Sequence, residues 1–154
     1  MYFDEDLVLE IRLNTLNKIV DKFVICEATR DHGGNKKSLK FQIEKFHNFK
    51  DKIEHIIVED VPINVRKRKK DWHENHIRDQ YQRNAIIRGL KNCDPKDWIM
   101  ISDIDEIPDP KRIAEFDTRK KYACFLQKNF QSKINLLNVT NDYWPGTKIC
   151  QKKI

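Results

Sequence analysis

Apolar residues recur along the chain in two rhythms, and their alternation predicts the architecture. Over 6–20, Leu9, Leu13, Leu16 and Val20 fall at the spacing of one helix face, and the acids at the start of that stretch suit the positive end of a helix dipole. Residues 22–28 hold Phe23-Val24-Ile25-Cys26 without a polar break, which predicts a strand buried on both sides. Gly33-Gly34 marks a loop over 29–37. Leu39, Ile43 and Phe46 then predict a second helix, and the β-branched stretch 53–59 a second strand. Ile77, Tyr81 and Ala85 at four-residue steps, widened by Ile86, Ile87 and Leu90, predict a long helix over 74–90 that Cys93-Asp94-Pro95 ends. Trp98-Ile99-Met100-Ile101 predicts a third strand, 110–116 a short helix, and 122–126 and 134–139 two further strands.

Helices alternating with continuously apolar strands predict an α/β fold: a mainly parallel sheet with helices on both faces, in a single domain over 1–154. In sheets of this kind ligands sit beyond the carboxyl ends of the strands. That rule singles out Glu27, the Gly33-Gly34 loop and the acidic cluster Asp103-Ile104-Asp105-Glu106.

Composition narrows the classes. With 39% apolar residues and 10% aromatic, the chain can build a core, which excludes disorder throughout. No run approaches the ~18 apolar residues of a membrane span, and residues 1–10 are acidic where a signal peptide is basic and then apolar, so the expected location is cytoplasmic. The cysteines at 26, 93, 124 and 150 have no metal-ligand spacing and read as reduced thiols. A net charge of +6 favours anionic partners and leaves peripheral contact with an anionic membrane open. The run Arg66-Lys67-Arg68-Lys69-Lys70 lacks interleaved aromatics and any docking motif, so it predicts a solvated loop and no specific nucleic-acid partner.

The acidic cluster carries the candidate chemistry. Asp103 and Asp105 lie two apart at the end of an apolar strand, so in extended geometry both carboxylates point to one side and approach one cation, with Mg²⁺ or Mn²⁺ as the natural tenant. An acidic turn closed by Pro108 is the plain alternative. Arg78, Arg83 and Arg88 precede that strand and are candidates to cradle a diphosphate, although their five-residue steps leave at least one on the surface. His73 and His76 have no third ligand nearby and read as an exposed pair, not a zinc site.

The residues in their order resemble a family. Asp4-Glu5-Asp6-Leu7, Glu10-Ile11-Arg12-Leu13, Val20-Asp21-Lys22-Phe23-Val24-Ile25 with Glu27-Ala28, Gly34 with Lys37, then Trp72, Glu74, Gln82-Arg83-Asn84, Gly89-Leu90, Asp103-Ile104-Asp105-Glu106-Ile107-Pro108 and Trp144 with Gly146-Thr147-Lys148 look like glycosyltransferase family 17. The resemblance implies a GT-A-like nucleotide-sugar-binding fold and metal-assisted, inverting transfer of a sugar, foremost N-acetylglucosamine, from a UDP-sugar to a glycan acceptor. It implies Asp103 and Asp105 as the D-x-D metal pair, with Glu106 beside them as brace or base. Glu27, Lys37, Arg78 and Arg83 become candidate donor contacts. Family members also carry a strand before the Phe3-Asp4-Glu5 region and continue past the Trp-Gly-Thr segment, so the domain is expected to be incomplete at both ends. Two competing classes are a non-catalytic nucleotide-sugar or glycan-binding remnant and a metal-dependent phosphodiester enzyme.

Overall fold

Leu9, Leu13 and Leu16 are completely buried and define the inner face of helix α1 (Asp6–Leu16). Each such leucine contributes about 1.5–3 kcal/mol by leaving water. The helix ends short of Val20 because Lys52 Nζ takes the carbonyls of Asn17 and Val20, at 2.6 and 2.8 Å, and closes the chain there. The structure is a computed structural model that describes residues 1–63, 72–131 and 135–152. The basic run 66–70 and the side chain of His73 lie outside the described residues.

Strands β1 (Phe23–Ala28) and β2 (Ile53–Val58) pair in parallel, from Phe23 opposite Ile53 to Ala28 opposite Val58. Side chains on β1 alternate between two cores. Phe23 and Ile25 join α1, Tyr2, Phe41, Phe46 and Phe49 on one face, while Cys26 and Ala28 join Val58, Val61 and Ala85 on the other. This small sheet is therefore covered on both faces, as expected.

The second helix is a 3₁₀ segment (Ile43–Lys52) broken at Phe46, not an α-helix; Phe46 and Phe49, three apart, bury together as that tighter pitch requires. The long helix is α only over α2 (Trp72–Asn84) and continues as 3₁₀ through Ala85–Leu90. The tighter segment carries Gly89 against β1. A Cβ at Gly89 would lie 2.5 Å from Val24 Cγ1, so only glycine allows this approach.

The remaining strands correct the expectation of a mainly parallel sheet. β3 (Trp98–Ile101), β4 (Tyr122–Lys128) and β5 (Tyr143–Gln151) form an antiparallel sheet in the order β3-β5-β4, separate from β1 and β2 among the described residues. Of the strand expected over 134–139, residue 134 lies outside the described residues, and 135–139 form only an isolated bridge between Phe130 and Leu137, with Leu136 and Val139 left in solvent. The last strand is instead β5, which Pro145 and Gly146 disguise in the sequence. Proline is tolerated there because the stretch from Tyr143 to Thr147 pairs with β4 alone; β3 joins from Lys148 on. Helix α3 (Pro110–Ala114) is capped by the Asp109 side chain, which accepts from the Lys111 amide. No described helix is long and apolar enough to cross a membrane.

Candidate active site

The segment Asp103-Ile104-Asp105-Glu106-Ile107-Pro108 leaves β3 as a tight turn. Ile104 and Ile107 pack against the α1 core and Pro108 is buried, so the turn is anchored through its apolar residues. Its backbone closes on itself, with the Glu106 amide donating to Asp103 O at 3.2 Å and the Ile107 amide to Asp105 O at 3.1 Å. Beneath it lies the guanidinium of Arg12. Nη1 donates to the carbonyls of Asp103, Ile104 and Glu106, at 3.2, 3.5 and 2.9 Å, and Nη2 to Ser102 Oγ at 2.6 Å. Burial pulls the Arg12 pKa down, and the charges of Glu106, Asp105 and Asp103 push it back up.

The three carboxylates do different work. Asp103 faces Arg83, with Nη2 2.9 Å from Oδ1, and Arg83 also stands 3.9 Å from Asp79. Both oxygens of Glu106 are engaged: Oε2 accepts the Asp103 amide at 3.0 Å and Oε1 accepts Trp144 Nε1–H at 2.7 Å. The Glu106 carbonyl also takes the hydroxyl of the fully buried Thr147 at 2.8 Å, whose own amide donates to Gln127 Oε1. Gly146 makes that last contact sterically feasible, since a Cβ there would lie 1.8 Å from Gln127 Oε1. Asp105 is exposed, and its carboxylate has no hydrogen bond or ion pair among the described residues.

Asp103, Asp105 and Glu106 line one wide cleft of about 1560 Å³. The rest of its lining mixes apolar and aromatic side chains, among them Ile11, Phe125, Phe130, Tyr143 and Trp144, with polar and charged ones such as Asp109, Arg112, Glu115 and Lys128. A concavity that combines aromatic faces with charged groups can take a ligand that is itself part polar.

The other sequence candidates fall elsewhere. Glu27 does not open onto this cleft: it is fully buried, with Oε1 receiving Lys37 Nζ at 2.9 Å and the Lys40 amide at 2.7 Å, and Oε2 the Phe41 amide at 3.1 Å. Lys37 is thereby committed to Glu27 and also lies 5.0 Å from the Phe3 ring centre. Arg78 is buried and donates to the carbonyls of His32, Pro62 and Ile63, at 3.0, 3.0 and 3.1 Å, so it holds two loops together. Arg88 forms a bidentate pair with Asp60 on the surface. Of these cations only Arg83 reaches the acidic turn. Arg12, Trp144 and Thr147 were not singled out as site residues from sequence, yet Arg12 left a signal, because it is a lone cation on the Leu9, Leu13 and Leu16 stripe.

Among the described residues no three His, Cys, Asp or Glu side chains gather round a common point, so there is no closed metal cage. Asp103, shared with Arg83, and Asp105 both line the cleft, but they sit on a tight turn closed by the Glu106 amide on Asp103 O, which corrects the expected extended geometry that would aim both carboxylates at one cation. Mg²⁺ and Mn²⁺ use one or two carboxylates and complete their shell with phosphate oxygens and water, whereas zinc prefers nitrogen and sulfur. Carboxylate oxygens of this kind are compatible in type with a hard divalent ion rather than with zinc.

Comparison with known proteins gives this geometry a context. Residues 1–134 match the family model described as Glycosyltransferase family 17. Similar proteins include the β-1,4-mannosyl-glycoprotein 4-β-N-acetylglucosaminyltransferases of Homo sapiens and Rattus norvegicus, each 28% identical over 109 residues, covering 66% of this chain. The chain spans only 19% of the length of these relatives. No solved structure matches it.

Proposed function

The chain belongs to glycosyltransferase family 17, and on that premise we propose that its cleft serves glycosyl transfer from a UDP-sugar, foremost UDP-N-acetylglucosamine, to a glycan acceptor, with inversion at the sugar carbon. The observation that carries this reading is the division of labour at the turn. One aspartate is free, one is matched to an arginine, and the glutamate between them and Trp144 is fully engaged. The proposed domain is GT-A-like, and the two-sided packing of β1 and β2 with an acidic turn at a strand end supports it.

As the bond from the sugar to UDP breaks, negative charge grows on the β-phosphate. Stabilising that charge more than the ground state is what accelerates the step. Arg83 offers a planar pair of donors for phosphate oxygens, and Asp103 keeps it at the turn until the donor arrives. Asp103 and Asp105 would hold a divalent ion, which supplies positive charge against the leaving diphosphate. Glu106 braces the turn, since both of its oxygens already accept hydrogen bonds. Tyr143 and Trp144, each about half exposed, offer ring faces to the acceptor side of the cleft. Inversion follows from direct attack by an acceptor hydroxyl on the face opposite UDP, which needs a general base but no covalent intermediate.

Calorimetric titration with UDP and UDP-N-acetylglucosamine, with and without Mn²⁺, tests this. Binding of both that tightens at least tenfold with Mn²⁺ is expected. Absence of binding in either condition would sink the reading, and equal binding without the ion would remove the metal from it.

A further inference from the structure

Helix α1 buries Leu9, Leu13 and Leu16 on a stripe that also carries its single basic residue, Arg12. A cation on such a face must find acceptors or stay out of the core. Arg12 finds four, and all belong to Ser102 and the turn that follows it. The turn thereby rests on the larger of the two described cores, and carbonyl oxygens of three of its residues aim inward at one guanidinium. Ile104 and Ile107 are held in the same core, so the acidic side chains are left to the cleft side.

The charge balance points the same way. Three carboxylates within four residues repel one another when partly withdrawn from water, and Arg12 is the cation beneath all three. Lysine would match the charge but not the contacts. Its ammonium is a single point donor, whereas the guanidinium spreads its N–H groups across a rigid fork that reaches the carbonyls with one nitrogen and Ser102 with the other.

We propose that Arg12 is a positioning residue that holds the Asp103-Ile104-Asp105-Glu106 turn in its ligand-ready form before any ligand is present, so that a divalent ion and a nucleoside diphosphate meet carboxylates already aimed into the cleft. The identity of those ligands rests on the function proposed above; the role of Arg12 in ordering the turn does not. It acts through the backbone and touches neither ligand.

The test uses Arg12→Lys and, as a lighter perturbation that leaves α1 intact, Ser102→Ala. Two quantities are read: amide hydrogen exchange at residues 103, 106 and 107 without ligand, and UDP affinity in the presence of Mn²⁺. Arg12→Lys is expected to speed exchange in the turn at least tenfold and to weaken Mn²⁺-dependent UDP binding about tenfold or more, the usual effect of losing an outer-shell partner. Ser102→Ala is expected to shift both in the same direction by a smaller factor, and it decides the question alone if the lysine variant does not fold. Exchange and affinity both at wild-type values in a folded Arg12→Lys protein would overturn the proposal, because charge alone would then suffice. If wild-type protein binds no UDP with Mn²⁺, the functional reading falls. Exchange in the turn still judges Arg12: acceleration supports its positioning role, and no change refutes it.

Discussion

β1 carries an acid, Glu27, one residue before its end, β3 is followed by the acidic turn that starts at Asp103, and the two have opposite fates. Around Glu27 the chain turns back, and the segment from Lys37 to Phe41 delivers one ammonium and two amides to the carboxylate, with His55 Nε2 3.5 Å away. After β3 the chain turns back only as far as Glu106 and then leaves through Pro108 toward α3, so Asp105 keeps its oxygens free at a cleft. The rule that placed ligands beyond strand ends belongs to parallel sheets, so it applies to β1 but not to the antiparallel β3. What separates a structural anchor from a site is whether the following loop closes over the charge.

The largest effect expected from this contrast is on folding. Glu27→Ala would leave Lys37 and two amides unmatched in a buried place, which costs about 3–5 kcal/mol when one partner of a buried pair is removed. Urea denaturation measures it. A loss below about 1 kcal/mol would mean that water reaches Glu27 after all and that the two strand ends differ less than their burial indicates.

Asp105→Asn should do the reverse. Stability is expected to stay within about 0.5 kcal/mol, since the side chain is exposed and unpaired. UDP affinity in Mn²⁺ is expected to fall about tenfold, equal to about 1.4 kcal/mol, with little change in metal-free buffer. Equal losses in both buffers would show that the carboxylate acts without an ion.

The two acid-bearing strand ends were legible in the sequence, but not the contrast between them, since Glu27 and the acidic cluster were both expected to face a ligand. The helix at Leu9, Leu13 and Leu16 announces itself by its period, and the strands at Phe23 and Trp98 by short unbroken apolar runs. The acidic cluster is equally visible, as is its place after a strand. Two things stay hidden. One is pairing direction: β3 is as apolar as a parallel strand, but its partner is β5, whose Pro145 and Gly146 conceal a strand that depends on one-sided pairing. The other is loop closure, since the contacts of Lys37 and Phe41 with Glu27 span 10 and 14 residues and leave no periodic trace. The Arg12 contact, 91 residues from Asp103, shows only as one charge on an apolar stripe.

Trp144→Phe sharpens the open end with a smaller change. An aromatic ring is kept, though a smaller one than the indole, and the N–H that reaches Glu106 Oε1 at 2.7 Å is lost. Because the site is part-exposed, water replaces the donor, and a loss of about 0.5–1 kcal/mol in urea denaturation is expected. UDP affinity should fall only a few-fold, since the Asp103 amide still holds the other Glu106 oxygen. A tenfold loss of UDP affinity from this variant would make the indole part of the donor site itself.

The smallest expected effect is a proton's. Burial holds the His55 imidazole below its ordinary pKa of 6.5, and the neighbouring Glu27 carboxylate pulls it only part of the way back. The folded protein therefore binds this proton less readily than the unfolded chain. The stabilising contribution is complete above pH 6.5 and is lost as pH falls through that value toward the lower folded pKa, with a slope of at most about 1.4 kcal/mol per pH unit. The buried amino group of Met1 is also shifted down by desolvation and loses stability in the same direction, whereas Asp6 and Asp60, held below 3.8 by their partners, matter only at lower pH. Comparing denaturation midpoints at pH 7.5 and 5.5 for wild type and His55→Phe isolates the imidazole, and Phe suits a ring that already lies 4.6 Å from Phe41. The wild type should lose more stability on acidification than the variant. Identical pH slopes would mean that Glu27 recruits the proton as readily as water does, and the end of β1 would then be open to protons although it is closed to ligands.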